Sequence, residues 1–191
     1  MTLLEISANI FILISVYLAN RNSIHTWWTG IIATILFGFL FYEVKLYADV
    51  TLQIFFTLTS IFGWWKWLRG GSRKQSLPIS RVKSSLLLIF TVIAVLLTFG
   101  YGYLLFNLTE ASYPLVDSTV LFFSILAQFF LMERKLETWI FWILVDVISV
   151  PLFASKELYL TSIIYFAFLI NAIWGLWNWI KIYRLEYEKI S

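Results

Sequence analysis

The chain has 191 residues, of which 61% are hydrophobic and 13% charged, with a net charge of +3 and a mean hydropathy of +0.84. A soluble domain carries about 25% charge and 45–50% apolar residues, so the excess is too large for one buried core and lipid is the solvent. No Cys and a single His exclude disulfide frameworks, thiolate chemistry and zinc clusters.

Seven apolar runs follow in chain order, each near the length that a bilayer demands. They are Leu3–Ala19, Thr26–Tyr42, Ala48–Leu68, Ser84–Phe106, Val116–Leu131, Trp139–Phe153 and Leu158–Ile180. The first lacks basic residues before it and a small-residue cleavage site after it, so it reads as a retained helix. Short loops separate most runs. The only long one, Arg69–Lys83, contains Gly70, Gly71, Pro78 and several basic residues and reads as a flexible linker.

The basic residues set an orientation. With the amino terminus outside, twelve Lys and Arg fall on the cytoplasmic side and only Lys45 and Lys156 on the other. The carboxyl terminus is then cytoplasmic. Lys45 and Lys156 occupy corresponding outer loops and carry no role beyond solvation in this reading.

An internal repeat appears when the sequence is shifted by 112 residues. Thr26-Trp27 falls on Thr138-Trp139, Leu46-Tyr47 on Leu158-Tyr159, and Gly63, Trp65 and Trp67 on Gly175, Trp177 and Trp179. Thr26–Arg69 gives 12 identities in 44 positions without a gap. Helices 1–3 therefore match helices 5–7, and helix 4, crossing once, restores the orientation between them. The expected fold is an all-α membrane protein of two parallel three-helix repeats joined by a linker helix. Residues 1–69 form the first repeat, 70–115 the loop and linker helix, and 116–191 the second repeat with its tail. Transporters are commonly built this way, with substrate held near the midplane at the repeat interface.

Polar residues inside spans face a bundle interior rather than lipid, and residues three or four apart share a helix face. Helix 3 aligns Gln53, Thr57, Ser60, Trp64 and Trp67. Helix 5 adds Ser124 and Gln128. Helix 6 aligns Trp139, Trp142, Asp146 and Ser149, and helix 7 aligns Asn171, Trp174 and Asn178. Asp146 stands mid-span with no Lys or Arg at its depth, so either a cationic ligand or a neighbouring hydrogen-bond donor is its expected partner. The indoles serve equally as interfacial anchors or as stacking surfaces for a flat cation. The expected substrate contacts are Gln53, Thr57, Trp64, Trp67, Gln128, Trp142, Asp146, Asn171, Trp174 and Asn178. Gly30, Gly38, Gly63 and Gly175 read as close-packing positions, and Pro114 and Pro151 as span-end or kink residues. No nucleotide-binding, metalloprotease or nucleophile-elbow motif occurs. No catalytic residue, metal, cofactor or nucleic-acid partner is expected.

The run Phe39–Tyr47, with Ala48, Gln53 and the block Ile61–Trp67, resembles the PnuC family of bacterial vitamin transporters. So do Trp139–Tyr159, Tyr165 and Gly175. The resemblance covers nearly the whole chain. It implies seven helices in a three–one–three arrangement, like two fused half-units of the sugar-transporting SWEET proteins. It also implies a homotrimer in the bacterial inner membrane and facilitated diffusion of nicotinamide riboside, trapped inside by phosphorylation. Thiamine is the alternative substrate, and riboflavin is carried by other members. The family often shows Asn where this chain has Asp146.

Overall fold

The computed structural model describes residues 3–43, 47–69, 77–108 and 112–188. Seven α-helices run through them: α1 (Leu3–Asn20), α2 (His25–Glu43), α3 (Tyr47–Arg69), α4 (Ser84–Leu108), α5 (Pro114–Met132), α6 (Thr138–Ser155) and α7 (Tyr159–Glu188). The boundaries fall close to the apolar runs read from sequence, except that α7 continues well past Ile180. All but α3 are both long and apolar enough to cross a bilayer. Hydroxyls, Gln53, Lys66 and Arg69 dilute the hydropathy of α3, yet its 23 residues reach about 35 Å, more than the roughly 30 Å hydrocarbon layer. Pro114 opens α5, where its missing N–H has no helical partner to lose, whereas Pro151 lies inside α6.

The chain forms two compact units. The first comprises Met1–Ile79, Leu131–Arg134 and Trp177–Ser191. Within it α2 packs against both α1 and α3. Small residues make this approach possible: Ala8 and Ala33 are fully buried, and a side chain on Gly30 would meet the Ser15 hydroxyl at 3.0 Å. The second unit comprises Ser80–Phe130 and Lys135–Leu176. Its core gathers Ala94 of α4, Phe123, Ala127 and Phe130 of α5, and Phe141 and Val145 of α6.

The 112-residue offset recurs in three dimensions. Asn22 and Arg134 both adopt a left-handed φ of 54°. The Asn22 amide donates to Ala19 O at 2.9 Å and that of Arg134 to Leu131 O at 3.0 Å. The Ser23 amide donates to Leu18 O at 2.9 Å, its counterpart Lys135 to Phe130 O at 2.8 Å. The buried Thr26 hydroxyl donates to Ser15 O at 2.9 Å, and the Thr138 hydroxyl to Ala127 O at 2.8 Å. The helix contact recurs too. A Cβ on Gly63 would lie 2.4 Å from the Trp27 ring, and one on Gly175 2.7 Å from the Trp139 ring. Each indole lies flat on backbone that only glycine leaves bare.

The linker departs from its expected flexibility. Residues 70–76, which hold Gly70 and Gly71, lie outside the described residues, but the segment after them is anchored. In the first unit the Ile79 amide donates to Glu186 Oε2 at 3.0 Å. In the second, the Val82 amide donates to Glu137 Oε2 at 3.0 Å, and the Leu136 amide to Ser80 O at 3.0 Å. Carboxylates on other elements satisfy amides that a free linker would leave to water. Lys156 is likewise engaged: its Nζ lies 2.8 Å from Asp117 Oδ1 within the second unit. Lys45 falls outside the described residues.

Glycine-to-alanine exchange inside a helix ordinarily stabilises by about 0.5–1 kcal/mol. At Gly63 and Gly175 the sign is expected to reverse, with a loss of about 1–3 kcal/mol from overpacking against the indole. Gly100, whose Cβ would meet nothing within 4 Å, is the control and keeps the ordinary sign. Thermal unfolding of the three variants in detergent checks this.

Candidate functional site

In the first unit, Gln53 and Thr57 of α3 face α2 across a groove of about 420 Å³. The Thr57 hydroxyl donates to Gln53 O at 2.8 Å and lies 2.8 Å from the Thr34 hydroxyl. Ile35, Phe39, Ile54 and Leu58 make the walls apolar and Gly38 widens the floor. The groove is therefore almost wholly apolar, and the Thr34 and Thr57 hydroxyls that line it are bonded to each other.

One end of this unit is tightly cross-bonded. Trp67 is buried, donates its indole N–H to Met132 O at 3.3 Å, and meets Trp27 edge-on with 5.3 Å between ring centroids. Trp179, its counterpart at the 112 offset, donates to Ala19 O at 3.1 Å and lies 6.2 Å from Trp67. Lys66 pairs with Glu133, and Asn178, the counterpart of Lys66, donates to Asn20 Oδ1. The contacts are reciprocal: the end of α3 holds the end of α5, and the end of α7 holds the end of α1. Trp67 and Asn178 therefore already have protein partners here.

Arg134 completes this end and went unselected from sequence, where it counted only towards orientation. Its Nε donates to Asn22 Oδ1 at 2.9 Å, an Nη donates to Leu77 O, and the guanidinium lies 4.5 Å above the Trp67 ring. Arg134 is 5% exposed. Burial lowers its pKa from the ordinary arginine value, and Glu186 opposes that shift. Only its place opposite Asn22 in the repeat hinted at the contact.

In the second unit, Asp146 is 2% exposed and Ser149, one turn on, is fully buried. No Lys, Arg or His forms an ion pair with Asp146 among the described residues. Tyr165 of α7 interacts with it electrostatically. The phenol is braced by Phe153, stacked at 4.9 Å, and by Phe168, edge-on at 5.7 Å. Gln128 is buried in this unit and Asn171 half-buried. Trp142 is half-buried against the apolar core, a packing role that its polar neighbours on the helix face did not suggest. Trp64 and Trp174 keep 37% and 42% of their surface exposed. The predicted contacts are thus distributed: Gln53, Thr57, Trp64, Trp67 and Asn178 belong to one unit, and Gln128, Trp142, Asp146, Asn171 and Trp174 to the other. Thr34 and Tyr165 are the neighbours that the face-by-face reading left out, while Ser149 lay on the helix 6 face without being chosen as a contact.

Residues 2–181 match the sequence pattern described as the nicotinamide mononucleotide transporter family. The chain belongs to that family. It is a transporter and not an enzyme, as the repeat architecture suggested. The chain is 27% identical over 194 residues to the nicotinamide riboside transporter PnuC of Escherichia coli (strain K12), covering 88% of this chain and 81% of that relative. It is 24% identical over 184 residues to the PnuC of Neisseria mucosa, covering 90% and 70%. It is also 24% identical over 185 residues to the riboflavin/roseoflavin transporter RibM of Streptomyces davaonensis, covering 92% and 83%. Among solved structures, the crystal structure of the vitamin B3 transporter PnuC aligns with a TM-score of 0.76 at 22% identity over 95% of this chain and 82% of that one. The family fold is therefore shared, and the PnuC resemblance read from the two motif blocks holds.

Removing Arg134 leaves Asn22 Oδ1 and Leu77 O without their charged donor. Arg134→Ala is expected to cost about 2–3 kcal/mol, a hydrogen-bonded charged group being worth about 1.5–3 kcal/mol. Arg134→Lys is expected to recover little, because an ammonium offers neither the planar fork nor the stacking face. Denaturant unfolding in detergent, followed by Trp fluorescence, measures both.

Proposed function

We propose that the protein takes up nicotinamide riboside across the bacterial inner membrane by facilitated diffusion, with phosphorylation inside the cell trapping the substrate. The observation that carries this reading is Asp146, a buried carboxylate with no protein cation paired to it among the described residues. Holding a carboxylate at mid-span costs roughly 2.5–3.5 kcal/mol on insertion scales, so such a residue is retained for function. A pyridinium ring supplies the missing positive charge. The names of two relatives point to the same substrate, since both PnuC proteins are nicotinamide riboside transporters.

In this proposal Asp146 balances the ring charge, and Trp64 and Trp174, which keep open surface, stack on it. Gln53, Thr57, Gln128 and Asn171 hydrogen-bond ribose and amide groups. Trp67, Trp142 and Asn178 shape and support these contacts through their own protein partners. The amino terminus lies outside and the carboxyl terminus in the cytoplasm, as the distribution of Lys and Arg supports. The repeat division at 1–69, 70–115 and 116–191 and a homotrimer belong to the same proposal, the trimer resting on family resemblance.

Uptake into liposomes containing only this protein tests the function, and titration tests the site. Asp146→Ala and Trp64→Ala are each expected to weaken nicotinamide riboside binding tenfold or more, about 1.4 kcal/mol. Unchanged affinity in both variants defeats the assignment of these residues. A wild-type preference for thiamine of tenfold or more defeats the choice of substrate.

A further inference from the structure

The hydroxyl of Ser149 is fully buried and has no hydrogen-bond partner among the described residues. Among the described residues one other buried helical hydroxyl, Thr98 of α4, shares this state, but α4 carries no carboxylate, whereas Ser149 stands one turn from Asp146. A Ser or Thr within a helix always has an acceptor at hand, the carbonyl one turn back. Thr29, Thr57, Thr59, Thr91, Ser118 and Thr119 all bond it. Ser149 does not take Val145 O. A desolvated hydroxyl left unpaired costs free energy, so an unpaired one in a buried polar site points to a partner outside the protein.

The repeat shows that the fold itself does not require this group. Ser149 falls on Phe37 at the 112 offset, an apolar residue in the first repeat. Asp146 falls on Thr34, and Thr57, the hydroxyl neighbour of Thr34, falls on Leu169. In the first repeat the two hydroxyls lie against each other. In the second, one has become a carboxylate and the other a leucine, while a new hydroxyl stands one turn along the same face as the carboxylate. The pairing that satisfied the protein internally has been dismantled there, and two groups are left for something else.

We infer that Ser149 is a ligand contact which, together with Asp146, reads the edge of a planar group offering an N–H₂ donor beside an acceptor. A primary carboxamide is such a group: its N–H₂ donates to the Asp146 carboxylate and its oxygen accepts from the Ser149 hydroxyl. An aminopyrimidine presents the same order of donor and acceptor. A carboxylate in place of the amide has no donor and meets Asp146 with like charge, so the pair selects amide over acid. The inference deepens the proposed function and rests on its placing of Asp146 at the ligand.

The test uses the purified full-length protein, wild type and Ser149→Ala, titrated with nicotinamide riboside, its carboxylic acid analogue and a pyridinium riboside that lacks the carboxamide. The wild type is expected to prefer the amide over the acid by at least tenfold. Ser149→Ala is expected to lose about tenfold for the amide and nothing for the unsubstituted pyridinium. Thermal stability without ligand is expected to hold or rise, because an unpaired buried hydroxyl is removed. A merely structural serine would instead lower stability and weaken both ribosides equally, and that result overturns the inference. So does wild-type-like amide binding by Ser149→Ala; in both cases the proposed function stands. If the wild type binds no riboside but binds thiamine, the choice of substrate falls, and the same tenfold loss for thiamine decides the role of Ser149. Binding of neither vitamin removes both proposals.

Discussion

Two contacts between an indole and a bare stretch of helix backbone, one in each compact unit, hold neighbouring helices together. Lipid tails are as apolar as leucine, so helices within a bilayer gain little from hiding apolar surface and associate through close packing. Trp27 on Gly63 joins α2 to α3, and Trp139 on Gly175 joins α6 to α7. The rest of the first unit's cross-bonded end follows from the first contact. Trp27 presents its ring to the edge contact with Trp67, Trp67 reaches Met132 O, and the outer face of Trp67 carries the Arg134 guanidinium. A methyl group at Gly63 would move the first ring and with it the whole series.

The architecture was largely legible because bilayer physics leaves few choices. Apolar length marks a helix, and the Gly, Trp and Thr that coincide at one offset make matching contacts in the structure. The pairs Trp27–Gly63 and Trp139–Gly175 were visible as matched residues, though not as contacts. The tether of residues 77–83 was invisible, since Glu137 and Glu186 reach those amides from remote parts of the chain and no periodicity encodes that. The partner of Lys156 was missed for the same reason. Helix 3 was read as a span all the same, although its polar groups dilute its hydropathy more than that of any other helix.

The candidate site was legible by composition and less so by geometry. Asp146 was found because a carboxylate inside a span is costly and therefore conspicuous. Trp67 and Asn178 shared a helix face with polar residues, but face alone does not reveal that their donors are already engaged. Ser149 lay on the predicted stripe, and only its missing hydrogen bond separates it from an ordinary helical serine. The two repeats also differ in kind. The first keeps a closed hydroxyl pair in Thr34 and Thr57, and the second keeps an acid and an unpaired hydroxyl.

The matching loops at Asn22 and Arg134 show how one backbone corner can be held in two ways. Both residues adopt the same left-handed backbone, a conformation that asparagine enters readily and arginine does not. The first copy makes its corner from local preference. The second makes it against that preference, and compensates by wedging its side chain under a carbonyl, an amide oxygen and an indole. The two corners thus share one backbone shape and differ in what holds it: residue preference at Asn22, and a set of side-chain contacts at Arg134.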